Sequence, residues 1–269
     1  RCDMAMLVMN DVFERTWGEH AGPPPEEEYW QEVIPAVRED FPDVLFLAEA
    51  YWDLEWSLLQ QGFDYCYDKR LYDRLVRGKA EGVRLHLTAD TGYQERLVRF
   101  MENHDEPRAA SVFEEGRAMA AAVAVATLPG ARLFHEGQFE GRIVRVPVQL
   151  GRRPHEEENG RLRAFYERLL GATRTDLMSR GAWSLCEVAG WPDNLTCRNL
   201  LAWCWLKDEQ RCLVVINLSG RKAQGRVHLP SFGVSEGLWS LNDCMGAGQF
   251  ERQGTDIASS GLYVDLGPW

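Results

Sequence analysis

The chain has 269 residues, 45% of them hydrophobic, which is enough apolar material for one large domain or two ordinary soluble domains. Its 41 acidic residues outnumber 30 lysines and arginines, and the formal charge of −11 without a basic run argues against a nucleic-acid partner. No apolar stretch reaches the roughly 18 to 20 residues that a membrane helix needs, so no membrane partner is expected.

The seven cysteines are odd in number, widely spaced and without a Cys-x-x-Cys pair. This pattern predicts neither a zinc site nor a disulfide framework, and it favours a reducing, cytoplasmic location. Secretion stays an alternative, because the chain begins with Arg1 rather than Met and we expect the natural protein to begin earlier.

The first predicted elements are a helix and a buried strand. Three prolines followed by three glutamates at residues 26–28 predict a helix start, and the helix should end near Asp40. The apolar run at residues 44–48 is typical of a strand covered on both faces, with Glu49 at its tip. In parallel α/β folds such strand ends often carry chemistry, although Glu49 alone could equally be the first solvated residue after a core strand.

Helices and strands continue to alternate up to about residue 174. Further strands are predicted at residues 63–67, 97–101 and 131–134, and helical patterns at residues 53–61, 71–76, 116–128 and 156–174, with another helix before residue 97. This alternation predicts a parallel sheet covered by helices.

After Gly181 the pattern changes to short strands separated by turn residues. The candidates are residues 183–188, 199–206, 211–218, 223–229, 238–241 and 261–266, and long helical patterns disappear. The polar link at residues 207–210 predicts an antiparallel hairpin. We therefore predict two domains, an α/β domain over residues 1–175 and an antiparallel β domain over residues 176–269.

Three carboxylates, Asp3, Glu49 and Asp105, lie on three different segments and are candidates for catalysis. Cleavage of a glycosidic bond commonly needs two carboxyl groups, one to protonate the leaving oxygen and one to attack or stabilise the sugar carbon. Taken singly, each of the three could be an ordinary loop carboxylate. Their neighbours carry the stronger signal.

The sequences around these acids resemble, in the same order, three motifs of the α-amylase family of glycoside hydrolases, family 13. Arg1-Cys2-Asp3 is similar to the fourth-strand motif, Leu47-Ala48-Glu49-Ala50 to the fifth, and Phe100-Met101-Glu102-Asn103-His104-Asp105 to the seventh. The resemblance implies that Asp3 is the nucleophile, that Glu49 is the acid and then the base, and that Asp105 binds sugar hydroxyls.

Five further residues are expected to bind substrate or to support these acids. By resemblance, Arg1 would pair with Asp3, and Asn103 and His104 would contact sugar hydroxyls. Tyr51 and Trp52 could stack on sugar faces, although core packing is the more common role for an aromatic side chain. A local structural role is the corresponding alternative for His104.

The resemblance implies an incomplete (β/α)8 TIM barrel, from the tip of strand four to strand eight, followed by an antiparallel β-sandwich. The expected activity is retaining hydrolysis or transglycosylation at α-glucosidic linkages of oligo- or polysaccharides, and the chain alone is expected to be inactive as part of a longer enzyme. No cofactor or metal is evident, calcium would belong to an upstream region, and the oligomeric state stays open. The alternative is a non-catalytic relative that binds carbohydrate or protein.

Overall fold

The computed structural model describes all 269 residues, and the chain forms two compact units. The first unit comprises residues 1–72, 90–100 and 130–133, and the second comprises residues 73–89, 101–129 and 134–269. The two units are defined by which residues contact one another in space. The domain limits expected from the sequence stay a prediction. No helix combines the length and apolarity needed to cross a membrane.

The helices and strands alternate in the first part of the chain, and strands dominate the last part. The helices are α1 (Asn10–Trp17), α2 (Tyr29–Asp40), α3 (Glu55–Gln60), α4 (Lys69–Arg77), α5 (Ala80–Leu87), α6 (Thr91–Gln94), α7 (Ala109–Val112), α8 (Glu115–Thr127), α9 (Gly160–Thr173), α10 (Asp176–Arg180) and α11 (Gly254–Ser260). The strands are β1 (Leu47–Ala48), β2 (Tyr65–Tyr67), β3 (Leu97–Arg99), β4 (Ala131–Arg132), β5 (Ala182–Cys186), β6 (Val188–Ala189), β7 (Leu200–Lys207), β8 (Gln210–Asn217), β9 (Ala223–Val227), β10 (Leu238–Asn242), β11 (Gln249–Gln253) and β12 (Leu262–Leu266).

The first unit is built on a parallel sheet with the strand order β1-β2-β3-β4. The predicted parallel sheet is therefore confirmed, although all four strands are shorter than predicted. Val44 and Leu45, for example, lie outside β1 and expose 36% and 67% of their surfaces, so the apolar run is only partly a buried strand. Cys2 adds a one-residue parallel bridge to Ala48 at the free side of β1.

The core of the first unit lies between this sheet and its helices. Fully buried side chains from α2, α3, β3 and the preceding loops meet there, among them Met6, Ile34, Leu58, Phe63 and Leu97. Burial of one apolar face is what stabilises short helices such as α3, which would not form alone in water.

Gly130 marks a close approach of two chain segments, just before β4. Its φ is +99°, and a Cβ atom there would lie 2.2 Å from the Leu97 carbonyl oxygen. We expect Gly130→Ala to lower the free energy of unfolding by about 2 to 5 kcal/mol. This loss is the sum of the cost of a strained backbone and the cost of overlap with main-chain atoms.

Gly22→Ala is the matched control for Gly130→Ala. Gly22 also has a positive φ, +71°, but no atom lies within 4 Å of its added Cβ. Its replacement should cost only the backbone strain of about 1 to 2 kcal/mol. Urea denaturation of both variants measures the difference, and equal losses would show that overlap with Leu97 is not the cause.

The second unit contains the antiparallel sheets predicted for the C-terminal region. Two three-stranded sheets have the orders β5-β7-β8 and β12-β9-β6, and β10 pairs with β11. Cys186 and Cys204 of the first sheet share a core cluster with Val227 and Leu262 of the second, so the two sheets pack through their apolar faces. The predicted hairpin is confirmed by β7 and β8, which pair up to Lys207 and Gln210.

Several short elements of the second unit were not predicted, and β11 and α11 are the clearest examples. The strand β11 was not predicted, because all five of its residues are exposed and it has no apolar alternation. The helix α11 interrupts a region where no helix was expected, and its only buried residues are Gly254 and Ile257. All seven cysteines are free thiols.

Candidate active site

Glu49 follows β1 directly and is the most enclosed of the three predicted catalytic acids, with 2% of its surface exposed. Its Oε2 atom accepts hydrogen bonds from Arg1 Nη2 at 2.8 Å and from the Met4 backbone N–H at 3.0 Å. Its Oε1 atom accepts one from the Tyr51 hydroxyl at 3.1 Å. A buried carboxylate needs such donors, and here they also fix its orientation.

The segment that carries Arg1 and Asp3 lies alongside β1 through backbone hydrogen bonds. Cys2 N–H donates to Leu47 O at 2.8 Å, and Glu49 N–H donates to Cys2 O at 3.0 Å. Met4, with φ of 42° and ψ of 49°, then turns the chain in a left-handed conformation that non-glycine residues seldom adopt. This turn is the local feature that directs the Met4 N–H toward Glu49.

Arg1 joins two of the predicted catalytic acids. Its Nη1 atom lies 3.1 Å from Asp3 Oδ1, and its Nη2 atom lies 2.8 Å from Glu49 Oε2. Desolvation works against the charge of Arg1, yet Glu49, Tyr67 and Asp3 hold the pKa of the guanidinium above its usual value. The Arg1–Asp3 pair expected from the sequence is present, and the Arg1–Glu49 pair was not anticipated. The Asp3 side chain is 76% exposed.

The turn after Glu49 contains the two predicted aromatic contacts, which differ in their surroundings. Tyr51 is partly buried and is tied to Glu49 by its hydroxyl, whereas Trp52 is 58% exposed. Trp52 and Asp53 both have positive φ angles, 60° and 66°, and Arg70 forms an ion pair with Asp53. Two successive non-glycine residues with positive φ are costly, and such strain often accompanies functional sites.

Asn103, His104 and Asp105 belong to the second unit and form a local group there. The Asn103 Oδ1 atom accepts the backbone N–H groups of Asp105 and Glu106 at 2.9 and 2.8 Å, while its buried Nδ2 atom has no hydrogen-bond partner. His104 Nε2 lies 2.9 Å from Asp105 Oδ2, and both side chains are partly exposed. Asn103 therefore shapes the turn that presents the other two residues.

A buried charge network next to this group was not predicted. Glu102 is fully buried and accepts hydrogen bonds from Arg108 Nη1 at 2.6 Å and from the Ala109 N–H at 2.6 Å. His135 Nδ1 lies 3.2 Å from the same carboxylate and 2.8 Å from Arg108 Nη1. The sequence shows these residue types, but it does not show which distant residue each one contacts.

The predicted site residues thus fall into two groups. Arg1, Asp3, Glu49 and Tyr51 are connected in the first unit, where Trp52 lies beside them in sequence, whereas Asn103, His104 and Asp105 are connected in the second. The first group contains two carboxyl groups, Glu49 buried and Asp3 open to solvent. No cluster of three or more His, Cys, Asp or Glu side chains is arranged to hold a metal ion.

No protein-family profile and no curated protein matches the sequence. Solved structures of α-amylase-family enzymes, in contrast, have a similar fold. The maltogenic α-amylase AmyB of Thermotoga neapolitana aligns over 99% of this chain and 58% of its own, with a TM-score of 0.70 and 17% identity. The α-amylase GTA of Geobacillus thermoleovorans, complexed with acarbose, aligns over 89% of this chain and 54% of its own, with a TM-score of 0.69 and 14% identity.

A debranching enzyme of Nostoc punctiforme is a third similar structure, with a TM-score of 0.65, 14% identity and coverage of 89% of this chain and 52% of that enzyme. The chain therefore spans somewhat more than half the length of the solved structures it matches. At these identities the likeness is one of fold, and at that level the resemblance predicted from the three motifs is confirmed.

Proposed function

We propose that this chain is part of a retaining glycoside hydrolase or transglycosylase of the α-amylase family, acting on α-glucosidic linkages. The observation that carries the proposal is the Arg1 guanidinium in contact with both Asp3 and Glu49. A double displacement at a sugar carbon uses two carboxyl groups held near one another, and one cation touching both keeps them close. The shared fold with α-amylases and a debranching enzyme supports α-glucans as the substrate class.

In the proposed first step, the Asp3 carboxylate attacks the anomeric carbon while Glu49 gives its proton to the departing glycosidic oxygen. A bond forms between an Asp3 oxygen and the sugar carbon, and the glycosidic bond breaks. In the second step Glu49 takes a proton from water or from a sugar hydroxyl. The oxygen of that molecule bonds to the sugar carbon, and the bond between the sugar carbon and Asp3 breaks. Water gives hydrolysis and a sugar hydroxyl gives transfer.

The other predicted residues have supporting roles in this proposal. Arg1 orients Asp3, and Tyr51 orients Glu49 through their hydrogen bond. Asp105 and His104 would bind sugar hydroxyls, Asn103 would shape their turn, and Trp52 would offer its exposed face to a sugar ring. The parallel strands β1 to β4 would be strands five to eight of a TIM barrel. We further expect the 269-residue chain alone to release no reducing sugar from starch.

Trapping the covalent intermediate tests the proposal most directly. A 5-fluoro α-glucosyl fluoride should form a long-lived ester with Asp3, because the ring fluorine slows both steps and the good leaving group restores the first. The experiment uses the longest form of the protein that can be expressed, with peptide mass spectrometry to locate the adduct. Asp3→Asn should lose the adduct completely.

Asp11→Asn is the control, since Asp11 is an exposed carboxylate on α1 in the same unit. An adduct on any other residue, or an unchanged adduct in Asp3→Asn, would contradict the assignment of Asp3. Saturable binding of maltooligosaccharides without any adduct would instead favour the alternative, a non-catalytic carbohydrate-binding relative.

A further inference from the structure

A pocket of about 350 Å³ lies within the second unit, between the His104 and Arg108 region and the loop of residues 145–153. Its volume is in the range of sites for small molecules. His135 and Glu136, which follow β4 in the chain, also line it. Apart from His104, the function proposed above assigns nothing to these residues.

The charges around the pocket are predominantly positive. Four arginines line it, Arg108, Arg145, Arg152 and Arg153, against the single carboxylate of Glu136. Glu136 forms an ion pair with Arg153 and lies 3.6 Å from Arg108. Arg145 and Arg152 have no carboxylate within ion-pair distance. Two uncompensated cations on one pocket are unusual in a chain with a net charge of −11.

Arg108 anchors the inner side of the pocket and the start of the loop. It is 4% exposed, and its Nη1 atom donates to Glu102 Oε1 and to Glu136 O, each at 2.6 Å. Its Nε atom donates to Val144 O at 3.3 Å, and Glu156 Oε2 accepts the Val144 N–H at 3.2 Å. Both ends of the arginine-bearing loop are therefore held by hydrogen bonds.

We propose that this pocket binds the phosphate group of a sugar phosphate, with Arg145 and Arg152 as its principal ligands. Guanidinium groups bind phosphate oxygens in pairs of parallel hydrogen bonds, and two unpaired arginines match the charge of a phosphate dianion. The pocket is much larger than a lone phosphate ion, and His104 belongs to the candidate sugar-binding motif. The sugar part of this inference rests on the proposed function, whereas the phosphate part does not.

Calorimetric titration of the protein with glucose 6-phosphate, glucose 1-phosphate, glucose and inorganic phosphate tests the inference. At least one sugar phosphate should bind about tenfold or more tightly than both glucose and inorganic phosphate, because charge-assisted hydrogen bonds are added to the sugar contacts. The double variant R145Q/R152Q should lose that advantage while its affinity for glucose stays within about twofold.

Arg168→Gln is the matched control, because Arg168 is an exposed arginine on α9 that has no ion-pair partner and does not line the pocket. It should leave every affinity unchanged. Equal affinity for glucose and for the sugar phosphates, no binding of any sugar phosphate, or an unchanged R145Q/R152Q variant would each overturn the inference.

Inorganic phosphate that binds as tightly as the sugar phosphates would overturn the sugar part and leave a site for free phosphate. Because the readout is binding, failure to trap a glycosyl-enzyme on Asp3 counts against the proposed function alone. A sugar phosphate bound through Arg145 and Arg152 in a protein that forms no adduct would separate the two outcomes.

Discussion

Replacing Glu49 by Gln is expected to slow the cleavage of maltooligosaccharides by about 10²- to 10⁴-fold, in any form of the protein that turns them over. Gln keeps the size of the side chain and an acceptor for Tyr51, but its amide is not an acid and cannot protonate the leaving oxygen. Activated aryl glycosides leave without that proton, so their cleavage should slow far less. Steady-state kinetics on both substrate types measures the contrast.

Glu55→Gln is the matched control for Glu49→Gln. Glu55 is also a buried carboxyl group, 3% exposed and six residues further along the chain, and burial raises its pKa. It has no role in the proposed reaction, so its replacement should leave the ratio of the two substrates' rates unchanged. Equal losses on both substrate types in Glu49→Gln would point to a nucleophilic or a purely structural role for Glu49.

The second large effect concerns stability. Arg99 of β3 is fully buried and forms an ion pair with Asp68, which is 1% exposed. Gln94 accepts further hydrogen bonds from the same guanidinium through its side-chain and backbone oxygens. Burial lowers the pKa of Arg99, and the Asp68 carboxylate is the main influence that opposes this.

Arg99→Met is expected to lower the free energy of unfolding by about 3 to 5 kcal/mol, because it removes the guanidinium that pairs with the buried Asp68 carboxylate. The double variant Arg99→Met/Asp68→Leu should recover much of this loss, since an apolar pair of similar volume has no charge to desolvate. Guanidinium chloride denaturation measures both. Arg163→Met, which removes a surface cation beside Glu158 and Glu167, should change little.

If the Arg99→Met/Asp68→Leu variant were as unstable as Arg99→Met, the loss would come from packing or from the Gln94 hydrogen bonds. Loss of the Arg99–Asp68 ion pair would then not be the cause. This comparison is the reason for measuring the double variant together with the single one.

The parallel sheet could be predicted because each of its strands lies inside a mostly apolar run, as residues 44–48 illustrate around β1. The limits of the strands could not be predicted. The ends of an apolar run form part of a strand only where the neighbouring strand is long enough to pair with them. The helix α1 was missed because Val12 is its only buried residue, while Phe13 and Trp17 are exposed. Its apolar residues therefore do not outline a single buried face.

The candidate site, like the fold, could be predicted only in part. Glu49 could be found because a lone carboxylate ends a buried strand, and Asp105 because it ends a recognisable motif. The Glu102–Arg108–His135 network could not be found, because its hydrogen bonds join residues 6 and 33 positions apart in the chain. Tertiary structure decides which partner a buried charge contacts. The sequence also does not show which charged residues are buried, because most charged residues are exposed.

The hydrogen bonds that hold the segment with Asp3 beside β1 determine how often the proposed site is assembled. Two backbone hydrogen bonds through Cys2, one from Ala5 N–H to Glu49 O, one from Met4 N–H to the Glu49 carboxylate and the contacts of Arg1 hold it beside β1. Local opening of such a hydrogen-bonded segment needs less free energy than global unfolding. In the proposed reaction Asp3 and Glu49 would act together only while the segment is attached, so the rate would scale with that fraction of time. The rate of hydrogen exchange at the Cys2 backbone amide measures how often this segment detaches.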